Sequence, residues 1–343
     1  MIRERIAAVS ALPVRSAGLA LFAAALCMTT VLPAGAGIVK FDVNHAAATD
    51  PTAINVNGVI TGSYEDASFA THGFVRSSGG TIKTFDATGA IATLPNAISG
   101  KGAIAGDYAD GSFTFHGFVR APHGPITSFD PSGSILTAAT GINDKGTIAG
   151  YYMDGSGVTH GFQRTSDGTI AVFDPKDSTF TIANAIDGKG TIAGYFISSK
   201  DGAYHGFLLT PAGKFKTFSV SGAIVTESNT VNSTRATAGV YADSDGVYHS
   251  FVRSTAGAIT TFDPAGAISS FASGMNDGGT TAGDFVDTSQ VQHGFVRAAD
   301  GTITSFDPKG STDTVAYGIN NTGAVTGHWV DSNNMDHGYV LTP

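Results

Sequence analysis

The sequence predicts an all-β fold: a seven-bladed β-propeller of four-stranded blades, in which an N-terminal strand completes the last blade. Three observations carry this expectation. His-Gly-Phe or a close variant recurs at His72, His116, His160, His205, His249, His293 and His337, at intervals of 44, 44, 45, 44, 44 and 44 residues. A Phe-Asp pair recurs in step with it at Phe41, Phe85, Phe129, Phe173, Phe262 and Phe306, with Phe218-Ser219 as a degenerate copy. The first Phe-Asp has no His-Gly-Phe before it, and the last His-Gly-Tyr has no Phe-Asp after it. The two termini therefore supply complementary parts of one blade, and their pairing removes the free edges of an open sheet.

Each repeat divides into four strand-sized pieces, a number that suits a propeller blade of about 40–45 residues. In the third repeat they are Leu136 to Asn143, Thr147 to Met153, Thr159 to Arg164 and Thr169 to Phe173. Turn-forming runs separate them: Asn143-Asp144-Lys145-Gly146, Asp154-Gly155-Ser156-Gly157 and Ser166-Asp167-Gly168. The first piece is expected to line a central channel and the Phe-Asp piece to lie outermost. The extra residue of the fourth repeat falls around Ser198 to Asp201. The fifth repeat departs from the others at Val231-Asn232-Ser233-Thr234-Arg235, where its first turn lacks glycine.

Composition agrees. The 343 residues include 45 glycines and only 14% charged residues, which suits short strands joined by tight turns. Met1 to Ala36 reads as a secretory signal: Arg3, Arg5 and Arg15 precede an apolar stretch from Gly18 to Leu32, and Ala34-Gly35-Ala36 forms a cleavage site. Leu26 before Cys27 does not fit a lipobox. Residues 37–343 then form one domain without cysteine, so an exported protein would rely on its core and topology. The net charge of −9, more negative once the signal is removed, argues against nucleic acid and anionic lipid as partners. The expectation is a secreted or periplasmic bacterial protein, monomeric and not inserted in a membrane.

The middle of the repeat, Gly141-Ile142-Asn143-Asp144-Lys145-Gly146-Thr147-Ile148-Ala149-Gly150-Tyr151 followed by His160-Gly161-Phe162, resembles the bacterial extracellular HAF repeat. Gly or Ser stands here where that family has Ala. The resemblance runs through all seven repeats and implies an exported or surface location. It implies no catalytic residue.

Among polar residues, the seven repeat histidines read as structural, because a residue present in every blade serves what every blade needs. Asp243-Ser244-Asp245-Gly246 lacks the remaining oxygen ligands of a calcium loop. Gly188-Lys189-Gly190 recurs with the blades and sits in a hairpin, so it reads as a turn and not as a phosphate loop. No cofactor or metal site is expected. Positions that break the symmetry are the candidate ligand contacts: Asp107, Tyr151, Tyr195, Asp284 and His328 after the glycine of the second strand, with Tyr317 and the single tryptophan, Trp329. A further polar set (Thr52, Asn96, Thr140, Asn184, Asn229, Ser273 and Tyr317) precedes the first turn of each blade and is expected at the channel. The favoured function is noncatalytic binding of glycan, envelope polymer or protein. The alternative is a polysaccharide hydrolase or lyase using Asp107, Asp284 and His328, although the two acids would face each other only across the channel.

Overall fold

The computed structural model describes residues 37–343; the expected signal segment lies outside them. The described residues form 28 β-strands and no helix. The strands group into antiparallel four-stranded units repeated along the chain, three of them linked into one larger sheet by single parallel bridges. The third unit shows the pattern: β10 (Ser134–Ile142), β11 (Ile148–Asp154), β12 (Thr159–Arg164) and β13 (Ile170–Phe173) pair in that order. The first strand ends one residue earlier than the sequence suggests. Asn143 leaves the ladder because its side-chain oxygen accepts the Lys145 and Thr147 amides at 3.0 and 3.1 Å, an Asx turn. The fifth unit makes the same turn on Asn232, with Arg235 at φ 68° in the place glycine takes elsewhere. The extra residue of the fourth repeat widens its second turn, where the Gly202 amide reaches back four residues to the Ser198 carbonyl.

The first strands of the units are β2 (Ala48–Ile54), β6 (Ala90–Ile98), β10, β14 (Ser178–Ile186), β18 (Val225–Val231), β22 (Ala267–Met275) and β26 (Asp313–Ile319). Each packs against the next, and β26 packs against β2, so they enclose a common axis. In the closing unit, β1 (Gly37–Phe41) pairs with β28 (Asp336–Thr342), which pairs with β27 (Val325–Val330) and then β26. The Phe-Asp strand is thus the outer one, as expected.

Every first strand carries a β-bulge. The register shifts fall at Thr52, Asn96, Thr140, Asn184, Asn229, Ser273 and Tyr317. These are the polar residues expected at the channel. The bulge turns most of them toward the next unit instead: Thr52, Asn96, Thr140, Asn184 and Asn229 each donate to a carbonyl of the following first strand at 2.7–3.1 Å. The bulge also brings the first strand against the second. A Cβ on Gly150 would lie 2.1 Å from the Ala138 carbonyl oxygen, and on Gly106 2.1 Å from that of Leu94. Glycine is required there for space.

The core lies between units. Phe74, Phe118, Phe162, Phe207, Phe251 and Phe295, the phenylalanines of the repeat motif, are fully buried. Most meet the outer-strand phenylalanine of the preceding unit edge-on, as Phe129 does Phe162 at 5.9 Å. An arginine closing the third strand covers the same ring from outside, Arg164 over Phe129 at 4.8 Å and Arg76 over Phe41 at 4.6 Å.

Candidate functional site

The antiparallel order places the turns between second and third strands, and the crossovers to the next unit, at one end of the ring. The repeat histidines sit there. Nδ1 of His72, His116, His160, His249, His293 and His337 donates to the Phe-Asp aspartate of the same unit at 2.7–3.0 Å, and His205 bonds to Ser219 at 2.6 Å. Nε2 faces the aspartate of the second turn, at 3.4 Å for Asp66 and 3.5 Å for Asp154. That aspartate is already engaged by turn amides: Asp154 accepts those of Ser156 and Val158. Asp243 does likewise with Asp245 and Val247. Each ring also lies against an aromatic residue of the second strand, for example Tyr64 on His72 at 5.1 Å and Trp329 on His337 at 4.6 Å. The histidine therefore joins two loops at that end. Burial opposes protonation of His72, His116, His160, His249 and His293, but the flanking aspartates outweigh it and raise their pKa above the ordinary value.

The symmetry-breaking residues divide between two faces. Trp329 follows His328 on β27 and points the opposite way, buried, with the Lys40 ammonium 3.7 Å over its ring. It occupies the aromatic position that other units fill with Tyr or Phe. The other second-strand candidates stand opposite the glycine of the histidine motif (Asp107↔Gly117, Tyr151↔Gly161, Tyr195↔Gly206, Asp284↔Gly294, His328↔Gly338), and Tyr317 sits at the first-strand bulge of the closing unit.

Of these, Asp107, Tyr195 and Asp284 are buried, Tyr151 and His328 are half-buried, and Tyr317 is exposed. Burial pushes the Asp107 carboxyl up to about 7, although Asn96 donates to it at 2.6 Å. Burial does the same to Asp284, also to about 7, against the opposing bond from the Gln292 amide at 2.5 Å. Glu227, which the sequence reading passed over, is pushed up to about 7 by burial. It stands among Tyr195, Tyr204 and Tyr248, and its charge raises the pKa of each further after burial has done so. Tyr195 packs between Phe180 and Tyr204 at 6.2 and 5.9 Å.

His328 and Tyr317 pair at 5.6 Å between rings. Across the seam between the closing unit and the first, His328 Nδ1 lies 3.5 Å from Asp50 Oδ1. Asp336 completes a trio whose ligand atoms all lie within 4.8 Å of one another. Asp50 and Asp336 were invisible to the sequence reading, since one comes from the start of the chain and the other from its last strand.

The same end of the ring carries a second feature that spacing did not signal. Phe69 and Phe113, at the tips of the second turns of adjacent units, are 76% and 62% exposed and adopt φ of 64° and 62°. Corresponding positions hold Gly157, Gly202 and Gly246, residues without a steric cost in that region, and in the last two units the polar Gln290 and Asn334. Exposed apolar side chains recur at this end in other units as well: Ile91, Ile135 and Ile268 near the starts of first strands, Ile224 in a crossover, Val158 and Val247 beside second turns.

No family model and no curated protein matches this chain. Solved structures do. The chain is similar to virginiamycin B lyase from Staphylococcus aureus, with a TM-score of 0.61 and 14% identity over 90% of this chain and 99% of that one. It is similar to the β-propeller domain of the trilobed protease from Pyrococcus furiosus (TM-score 0.62, 10% identity, 87% and 95% covered). A third is BP39L lectin from Burkholderia pseudomallei (TM-score 0.55, 11% identity, 87% and 98% covered). At these identities the likeness establishes the architecture alone: the chain folds as a β-propeller.

Proposed function

We propose that the four-stranded units are the blades of a closed seven-bladed propeller that is exported, in the manner of the HAF repeats it resembles, and binds a polysaccharide of the envelope or surroundings without cleaving it. The observation that supports this reading most is the pair of exposed phenylalanines held in left-handed turns at the crossover end. A bulky residue in that region costs free energy that a glycine would avoid, and such outliers cluster where a side chain must be presented. Flat aromatic faces beside carboxylates such as Asp66 and Asp110 suit a sugar, whose C–H face packs on a ring while its hydroxyls donate to oxygen. The two half-buried candidates, Tyr151 and His328, and the exposed Tyr317 stand along the gaps between blades nearer the axis.

The raised carboxyls of Asp107 and Asp284 favour a second reading, a hydrolase or lyase, because shifted acids mark many active sites. They lie on different units, however, and each is bonded to a neighbouring amide. His328 faces Asp50 and not either of them. A glycan array and polysaccharide pull-down, with reducing-end and unsaturated-product release monitored, separates the readings. Binding without turnover that falls for Phe69→Ser/Phe113→Ser supports the proposal. Product release overturns it in favour of the enzyme, and binding unchanged in the double variant removes the phenylalanines from the site.

A further inference from the structure

We propose that the seam between the closing unit and the first unit is a divalent-cation site, with Asp50, His328 and Asp336 as ligands. The trio arises from a strand register and a ring closure together. His328 on β27 and Asp336 on β28 are diagonal neighbours on one face of the closing unit, the residue directly opposite His328 being Gly338. A Cβ there would meet the Phe41 ring at 2.7 Å and the Pro51 ring at 3.0 Å. Closure then lays β2 of the first unit over β27 and β28 and delivers Asp50.

Three features point to an ion. The ligand atoms lie within 4.8 Å of one another, a spacing that a metal with bonds of about 2.0–2.2 Å closes with small rotamer adjustments. His328 Nδ1 is buried and without a hydrogen-bond partner, since 3.5 Å to Asp50 is too long for a bond. A buried ring nitrogen aimed at a carboxylate it does not reach is a ligand atom in position. Asp336 also lines a surface cavity of about 300 Å³, together with Asp42, His45 and Met335, so one ligand of the trio borders a solvent-filled opening.

The equivalent positions elsewhere show how specific this arrangement is. The gap after the first unit holds Ser63, Thr71 and Leu94, and that after the third holds Tyr151, Thr159 and Ile182. The gap after the sixth holds Asp284, Gln292 and Val315. Among the described residues no other trio of His, Cys, Asp or Glu meets in this way. One imidazole and two carboxylates suit a first-row divalent ion, Zn2+ or Mn2+, better than Ca2+, which prefers an all-oxygen shell. The ion would tie the first unit to the last and so hold the ring shut, independently of what the crossover end binds.

The test is isothermal titration of the chelator-treated, untagged protein with zinc or manganese chloride, calcium chloride serving as comparison, with thermal unfolding followed in parallel. One ion per chain, with micromolar or tighter affinity and a melting temperature raised by several degrees, is the expected result. His328→Ala and Asp336→Asn should each lower the affinity about tenfold or more, while His160→Gln, at a repeat histidine, leaves it unchanged. The Mn2+-loaded wild-type protein should show nitrogen coupling in its electron spin echo, a measurement that needs no variant to fold. Lack of binding, lack of nitrogen coupling, or binding that persists in both seam variants overturns the assignment.

Discussion

The side-chain amide of Asn320 donates to the backbone carbonyl of Asn55, 265 residues earlier in the chain, at 3.0 Å. It is the last link of a series. Asn55 donates to Ser99 O, Asn143 to Asp187 O, Asn232 to Asn276 O and Asn276 to Asn320 O, all at 3.0–3.2 Å. Each asparagine holds its own turn through its oxygen and the next unit through its nitrogen.

Asn320→Ala should therefore lose both functions and lower stability by about 1–2 kcal/mol, the usual cost of stranding a buried partner. The fourth unit supplies the converse. Asp187 stands at the asparagine position, accepts the Lys189 and Thr191 amides, and leaves Oδ2 buried without a partner. Asp187→Asn gives that atom a donor for the Asn232 carbonyl and should raise stability by about 1 kcal/mol. Denaturant titration of the two variants decides it, and a destabilised Asp187→Asn protein would contradict the link.

Stability should peak at mildly acidic pH. His72, His116, His160, His249 and His293 have raised folded pKa values, so their contribution is complete below the unfolded value of about 6.5 and is lost as pH rises through the folded one. Asp107, Asp284 and Glu227, at about 7 when folded, act in the same direction and lose stability between about 4 and 7. The turn aspartates act oppositely. Hydrogen bonds from Ser156 and the Val158 amide hold Asp154 at about 2, so its contribution is present above the unfolded value and fades as pH falls toward 2. Calorimetry from pH 3 to 9 should find the highest melting temperature near pH 5, with a shallower decline toward pH 8 in Asp107→Asn. A maximum at alkaline pH would show that the histidine clamps and buried acids do not dominate.

Gly150→Ala should prevent folding or cost more than about 4 kcal/mol, because the added methyl would overlap the Ala138 carbonyl, a backbone atom that cannot rotate away. Gly155→Ala, in an open turn with nothing within 4 Å of a Cβ, should be nearly neutral. Expression yield and circular dichroism compare them. Equal behaviour would mean that the first-strand bulge can relax.

Phe69→Asn should stabilise the protein by about 0.5–1 kcal/mol by relieving the left-handed strain, as Asn334 does at the equivalent turn of the closing unit. The same substitution should weaken polysaccharide retention on an affinity gel. Opposite signs for stability and binding are the mark of a side chain kept for contact; a loss of both would assign Phe69 a structural part.

Periodicity made the unit and its four strands legible, because every unit must bury the same motif aromatic, phenylalanine in six and Tyr339 in the closing one, against its neighbour, and the spacing of that residue along the chain records the demand. The pairing of the termini was legible for the same reason, from a first strand without its motif and a last motif without its strand. The bulge was written in the sequence as seven polar residues, yet its consequence was not: only register shows that five of them bond to the next unit. Phe69 and Phe113 look like ordinary turn residues until their φ and exposure are known. His328 stood out alone, but Asp50 and Asp336 acquired meaning only through ring closure. The sequence by itself determined the repeat, the layers and the ring, since these follow from local hydrophobic spacing. Tertiary structure decided which side chains meet across a gap between units, because that depends on register and on which face a strand turns to a neighbour hundreds of residues away.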